Sequence, residues 1–385
     1  MSHFGYLTAL CICTTLFGCA PSSSSESKPS ADAAGALGLG SDSGVDPDYG
    51  GTVPDQGLDR DPDAGVGGLD LGRSDGGADV GPETPSRPFH MGMTSWPYAA
   101  TIEAVQRTRE LVEQHGDLYA IWLDNGVPWE AAAAGGPYPQ PVMTKLSELS
   151  AEFPAGRQRF ISIGLLDLTR SSLATDWEAA PRAGRFAGLS FADPLVEEAY
   201  GNWLDFIIEQ LAPDWLNFAI EFSDVAHLAP DSWEDGAALL CRLYAGLRAR
   251  HPELRAFFSV ALKHPDSDEA RALSVALPAV QACTDYAAAS TYGYMFYGHP
   301  NAGDPDNLPE RWLSQIRDLI PNRPVLVAET AWPAQDLNID MWSISTQSTP
   351  EFQRRYVDRL LSEADALDAA LVTWWCVVDF DALWE

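Results

Sequence analysis

The sequence predicts an α/β protein, a (β/α)8 TIM barrel preceded by a disordered linker. Three observations carry that expectation. Eight short apolar runs alternate with helical stretches over about 300 residues, from 88 onward. Most of the runs are apolar throughout, as in strands covered on both faces. No Gly-rich phosphate turn follows the first run, which disfavours a doubly wound sheet.

The expected strands are 88–94, 118–123, 158–165, 215–221, 256–262, 286–292, 324–329 and 369–377. The expected helices are 99–115, 141–152, 193–212, 235–250, 268–282, 308–319 and 350–366. Asp193-Pro194 and Thr349-Pro350 supply an N-cap with proline in the first turn. Leu195, Ala199, Trp203, Phe206 and Ile207 form one apolar face of the helix over 193–212. The chain stops at Glu385, too soon after the eighth run for a full closing helix, so that helix is expected to be missing or the sequence truncated.

Composition divides the chain. Residues 20–87 carry 13 acidic and 4 basic side chains and almost no aromatic one. That tract accounts for −9 of the net −31, leaving −22 on 88–385, where all 13 Trp lie. The domain reading is a leader over 1–18, an acidic Gly/Ser/Asp-rich tether over 19–87, and the barrel over 88–385. A surface this acidic, without Lys/Arg clusters, excludes nucleic acid as a partner and disfavours docking of a protein face on anionic lipid. It suits a neutral ligand and a monomer outside the cytoplasm.

Barrels of this kind gather function at the C-terminal ends of their strands. Those ends hold Trp96 (strand one), Asp124 and Asn125 (two), Asp167 (three), Glu221 (four), His264 (five), Tyr292 (six), Glu329 and Trp332 (seven), and Trp374-Trp375 (eight). Carboxylates among aromatic rings suit sugars, whose C–H faces lie on indole while their hydroxyls need acceptors. Glu221 and Glu329 each end an apolar run, where a carboxylate costs desolvation free energy and is seldom there for packing. By strand alternation only one of Trp374 and Trp375 faces the barrel interior, and which one depends on register. No second His lies at ligand spacing from His264, so no metal and no cofactor is expected.

Glu329-Thr-Ala-Trp332-Pro333 resembles the strand-seven motif of the endo-β-1,4-galactanase and endo-β-1,3-glucanase branches of the clan-A glycoside hydrolases. The resemblance implies a retaining double displacement on β-linked polysaccharide or oligosaccharide. It would make Glu329 the nucleophile and Glu221 the acid/base. Tyr292 would donate a hydrogen bond to the nucleophile, and Trp374 would form the floor of the −1 subsite. That phenol bond is expected to hold Glu329 ionised. The clan places Asn before the acid/base to bind the sugar 2-OH. Here Ile220 stands in that place, which leaves two readings open: Asp124 or Asn125 takes over, or the barrel binds sugar without cleaving it.

The apolar run Phe4–Phe17, followed by Gly18-Cys19 and a Ser-rich tract, resembles the lipobox of bacterial lipoproteins. That resemblance implies a signal peptide, lipidation of Cys19, and an outer-membrane or cell-surface location with membrane contact only through the lipid. Cys241, Cys283 and Cys376 remain in the barrel, either as buried thiols or with Cys241 and Cys283 paired.

Overall fold

The computed structural model describes residues 87–99, 101–296, 303–339 and 344–378. The leader, Cys19 and almost all of the tether lie outside these residues, as does everything after Val378.

Eight parallel strands close into a barrel: β1 (His90–Thr94), β2 (Leu118–Leu123), β3 (Gln158–Ile163), β4 (Trp215–Ala219), β5 (Arg255–Ala261), β6 (Ala287–Thr291), β7 (Val325–Thr330) and β10 (Leu371–Cys376). Neighbours pair in sequence order, and β10 returns to β1 to close the ring. Two short strands, β8 (Leu337–Ile339) and β9 (Ile344–Thr346), form an antiparallel pair between β7 and β10 that the apolar pattern does not announce.

Side-chain caps open several of the expected helices, while α2 (Trp129–Ala133) and α5 (Val225–Leu228) are not among those expected. Thr101 accepts from the Ala104 N–H at the start of α1 (Ile102–His115). Asp193 caps α4 (Pro194–Leu211), and Thr349 caps α9 (Pro350–Ala366). Between them lie α2 (Trp129–Ala133), α3 (Gln140–Glu152), α5 (Val225–Leu228), α6 (Trp233–Arg250), α7 (Asp268–Ala276) and α8 (Ile316–Leu319). Two helices are shorter than expected. Helix α7 gives way to a 3-10 turn at Leu277–Ala279, where Pro278 has no N–H to continue it. The helix expected over 308–319 is helical only at α8, and ahead of it Arg359 donates to the carbonyls of Pro305, Leu308 and Pro309.

Apolar side chains sort into two layers by strand alternation. Leu118, Phe160, Trp215, Phe257, Leu326 and Leu371 fill the lower barrel. A larger layer between barrel and helices includes Trp203, Phe218, Phe258, Val327, Tyr356 and Trp374.

A disulfide joins Cys241 on α6 to Cys283, which precedes β6, and Cys376 stays outside it. The cross-link spans 42 residues and constrains the unfolded chain, contributing about 2–4 kcal/mol. The double variant Cys241→Ser/Cys283→Ser should therefore unfold at lower denaturant with an increased m-value. Identical midpoints would remove the disulfide from the stability argument. No helix among the described residues is long and apolar enough to cross a membrane.

Candidate active site

A polar layer sits above the apolar floor of the barrel. Asn217 donates to Ser259 at 3.1 Å and to Ser162 at 3.4 Å. The strands above that layer change register, and the changes aim the glutamates. In β7, Ser290 pairs with Glu329 while Ala289 pairs with Val327, so Ala328 is an extra residue. The bulge lets Glu329 follow inward-facing Ala328 into the barrel. In β4, Asn217 pairs with Phe257 and Ala219 with Phe258, which makes Phe218 the extra residue. Three residues later Glu221 adopts a left-handed backbone, φ 48° and ψ 33°. Its N–H donates to Ser259 Oγ at 2.8 Å, so the turn is tied to the barrel interior. A non-glycine residue held there stores strain, as functional positions often do.

Each glutamate has its own partners. Glu329 accepts from the Tyr292 hydroxyl at Oε1 and from Trp122 Nε1 at Oε2, the latter at 2.9 Å. Glu221 accepts from the Ser290 hydroxyl at Oε1, 2.7 Å, and from Arg170 Nε at Oε2, 3.1 Å. Arg170 reaches Asp124 Oδ2 with its other arm at 2.8 Å. All three members of this ion network are buried.

The electrostatics depart from expectation. The phenol bond to Glu329 is present, yet the carboxyl is pushed up to about 8. Burial is the largest cause and the charge of Glu221 the next; the bonds from Tyr292 and Trp122 and the cation of Arg170 oppose them and lose. Burial first, then the charge of Glu329, holds the Tyr292 phenol well above its usual range, so it stays a donor.

The aromatic residues are redistributed. Trp374 faces outward from β10, with its ring 6.0 Å from that of Tyr356 on α9. Trp375 faces the site instead, 5.2 Å from Trp122 and 6.0 Å from Trp96. The assignment of Trp374 to the subsite floor is thereby corrected, and alternation is the reason. Trp332 is also displaced: it is 1% exposed and stacks on Tyr356 at 4.5 Å, beneath the surface. Trp375→Ala should weaken saccharide binding at least tenfold with little loss of stability, whereas Trp374→Ala should cost about 3–5 kcal/mol and leave binding intact. Paired ligand titrations and denaturant melts would expose the reverse result.

The other candidates divide. Asp124 is occupied by Arg170 and is not open to a sugar hydroxyl. Asn125 is half-buried beside it, and its carbonyl accepts from the Ala179 N–H. Asp167 ties its own turn, accepting from the N–H groups of Ser171 and Ser172, each at 3.1 Å. His264 accepts from the Asp266 N–H and packs its ring edge-on to Phe296. Among the described residues no cluster of three or more His, Cys, Asp or Glu is placed to hold a metal.

Sequence reasoning missed Arg170, Trp122 and Ser290 as partners of the glutamates. Trp122 carried a signal, since it lies two residues before Asp124 on one face of β2. Arg170 carried none, being one arginine in a long loop.

No family model and no curated protein matches the chain. Solved structures do. An exo-β-1,4-mannosidase from Opitutaceae bacterium strain TAV5 shares 14% identity at a TM-score of 0.53, over 75% of this chain. The match spans about half of that enzyme, 52%. A family-5 glycoside hydrolase of Streptomyces cattleya, solved with Manβ1-4GlcNAc, gives 14% and 0.49, covering 77% of this chain and 74% of that one. The family-53 catalytic domain of Ignisphaera aggregans gives 20% and 0.45, covering 69% and 75%. At 14% identity the likeness to the mannosidase speaks to the barrel fold alone.

Proposed function

We propose that the chain is a retaining glycoside hydrolase acting on β-linked polysaccharide, with Glu329 as nucleophile and Glu221 as acid/base. The observation that carries this reading is the convergence of the two buried glutamates at the ends of β4 and β7. Register changes in β4 and β7 aim them into one site, where Ser290 donates to Glu221 and pairs along the backbone with Glu329. The half-buried indole of Trp122 donates to Glu329, and those of Trp375 and Trp96 follow on from it, an aromatic run that suits a sugar ring. In the first step, with the resting proton passed from Glu329 to Glu221, the Glu329 carboxylate attacks the anomeric carbon while Glu221 protonates the leaving oxygen. In the second, water replaces Glu329 and gives its proton to Glu221.

The reading is tested by reducing-sugar release from β-glucans, galactans and mannans, with Glu329→Ala as control. Proton NMR of the first product decides the stereochemistry. Release with retained anomeric configuration supports the proposal; inversion overturns the mechanism.

A second reading, a sugar-binding barrel without turnover, has its own support. Ile220 is buried at 1% exposure where the clan has its 2-OH ligand, and Arg170 occupies Glu221. Saccharide binding with no release from any polymer would favour it.

The location proposed is the cell envelope, by a lipid on Cys19. The Cys241–Cys283 disulfide supports an oxidising compartment. Radiolabelled fatty acid should enter the wild-type chain and not Cys19→Ser; equal labelling would refute the anchor.

A further inference from the structure

Arg170 has no assigned part in a two-glutamate mechanism, yet backbone, burial and two ion pairs all fix its placement. Its backbone is left-handed at φ 55°. Asp167 builds the turn that presents it, accepting from Ser171, Ser172 and the Thr169 hydroxyl. The guanidinium is 3% exposed and divides its arms between Asp124 and Glu221. Its charge is permanent, since the two carboxylates outweigh the burial that opposes it.

The chemistry asks two opposed things of Glu221. In glycosyl transfer to the enzyme it is a neutral acid, and in hydrolysis of the intermediate it is a carboxylate that takes a proton from water. A fixed cation at 3.1 Å attracts the carboxylate and offers little to the neutral acid. It also holds Oε2 while Ser290 holds Oε1, so the carboxylate keeps one orientation.

We infer that Arg170, held by Asp124, is a positioning residue for the second half-reaction, keeping Glu221 an oriented carboxylate that receives the proton of the attacking water. This rests on the hydrolase reading. In that step the water oxygen bonds to the anomeric carbon as the bond from that carbon to Glu329 Oε breaks. The bonding electrons return to Glu329, and the water proton goes to Glu221, with no further reactant.

The test uses 2,4-dinitrophenyl β-glycosides of mono- and disaccharides with the full chain. Their leaving group departs without a proton, so hydrolysis of the intermediate limits turnover. In Arg170→Met, kcat should fall by about ten- to a hundredfold with KM falling in parallel, while kcat/KM changes less than about threefold. A burst of dinitrophenolate should appear at early times. Arg170→Lys, which keeps the charge and loses the fork, should recover part of kcat.

Removing one partner of a buried ion network can unfold a protein. Asp124→Asn therefore serves as the second variant, near in shape, and should show the same split in milder form. A parallel loss of kcat and kcat/KM, or unchanged kinetics in both variants, overturns the inference. If the wild-type chain neither releases dinitrophenolate nor forms a glycosyl-enzyme, the hydrolase reading fails and the role falls with it. If wild type does both and the split is absent, only the role of Arg170 fails.

Discussion

Glu329→Gln should lower kcat by about 10^4-fold or more, and the same change should make the resting protein more stable at pH 8. The loss follows from the nucleophile role proposed for Glu329, because an amide does not form the glycosyl ester. The gain follows from where Glu329 sits. Burial and the charge of Glu221 lift its carboxyl from 4.5 to about 8 in the folded chain. Between those values the folded chain holds a proton that the unfolded chain releases. Its contribution to stability is therefore full below about 4.5 and is lost as pH rises through about 8. Gln carries no such dependence, and its amide can donate to the Tyr292 oxygen while its carbonyl accepts from Trp122. The expected gain at pH 8 is about 1–3 kcal/mol, or roughly 3–8 °C, shrinking toward nothing at pH 5. Thermal melts at both pH values check this. An equal gain at the two pH values would show that ionisation is not its source.

Glu221→Ala should cost about 10^2–10^4-fold in kcat on polymer and far less in the first step on a dinitrophenyl glycoside. A polymer leaves as an alkoxide unless protonated, whereas dinitrophenolate leaves unaided. The space vacated by the side chain admits azide, which attacks the intermediate without a general base. Azide should therefore restore turnover and yield a β-glycosyl azide, visible by NMR. The absence of azide product, together with equal losses on both substrates, would remove Glu221 from the acid/base role. Alanine also leaves Arg170 and Asp124 without their third member, so a melt must accompany the kinetics.

Both effects rest on residues that are legible in the amino-acid sequence alone. Glu221 and Glu329 stand out because a carboxylate closing an apolar run has no packing reason to be there. The eight strands are legible for a related reason: runs such as Pro324–Ala328 make sense only as strands covered on both faces. Asp193 and Thr349 mark two helix starts, and both cap them in the fold. Such features are local, decided by residues within a few positions of one another.

What tertiary structure decided is long-range. The choice between Trp374 and Trp375 depends on which face of β10 meets α9, and no pattern within six residues reveals that register. Trp332 belongs to a motif suggestive of a sugar site, yet Tyr356 on α9 claims its ring. Asp124 is legible as a polar residue at a strand end but not as the holder of Arg170, 46 residues away. The proton preference of Glu329 runs against the sequence expectation because one hydrogen bond can be guessed from a neighbouring tyrosine. The opposing burial and the charge of Glu221 exist only once the barrel closes. The sequence by itself determined the strands, the barrel and the two carboxylates, since hydrophobic periodicity and desolvation act along the chain. Only the closed barrel determined which aromatic rings face the site and which cation meets which carboxylate, since those depend on strand register and on loops meeting across the barrel mouth.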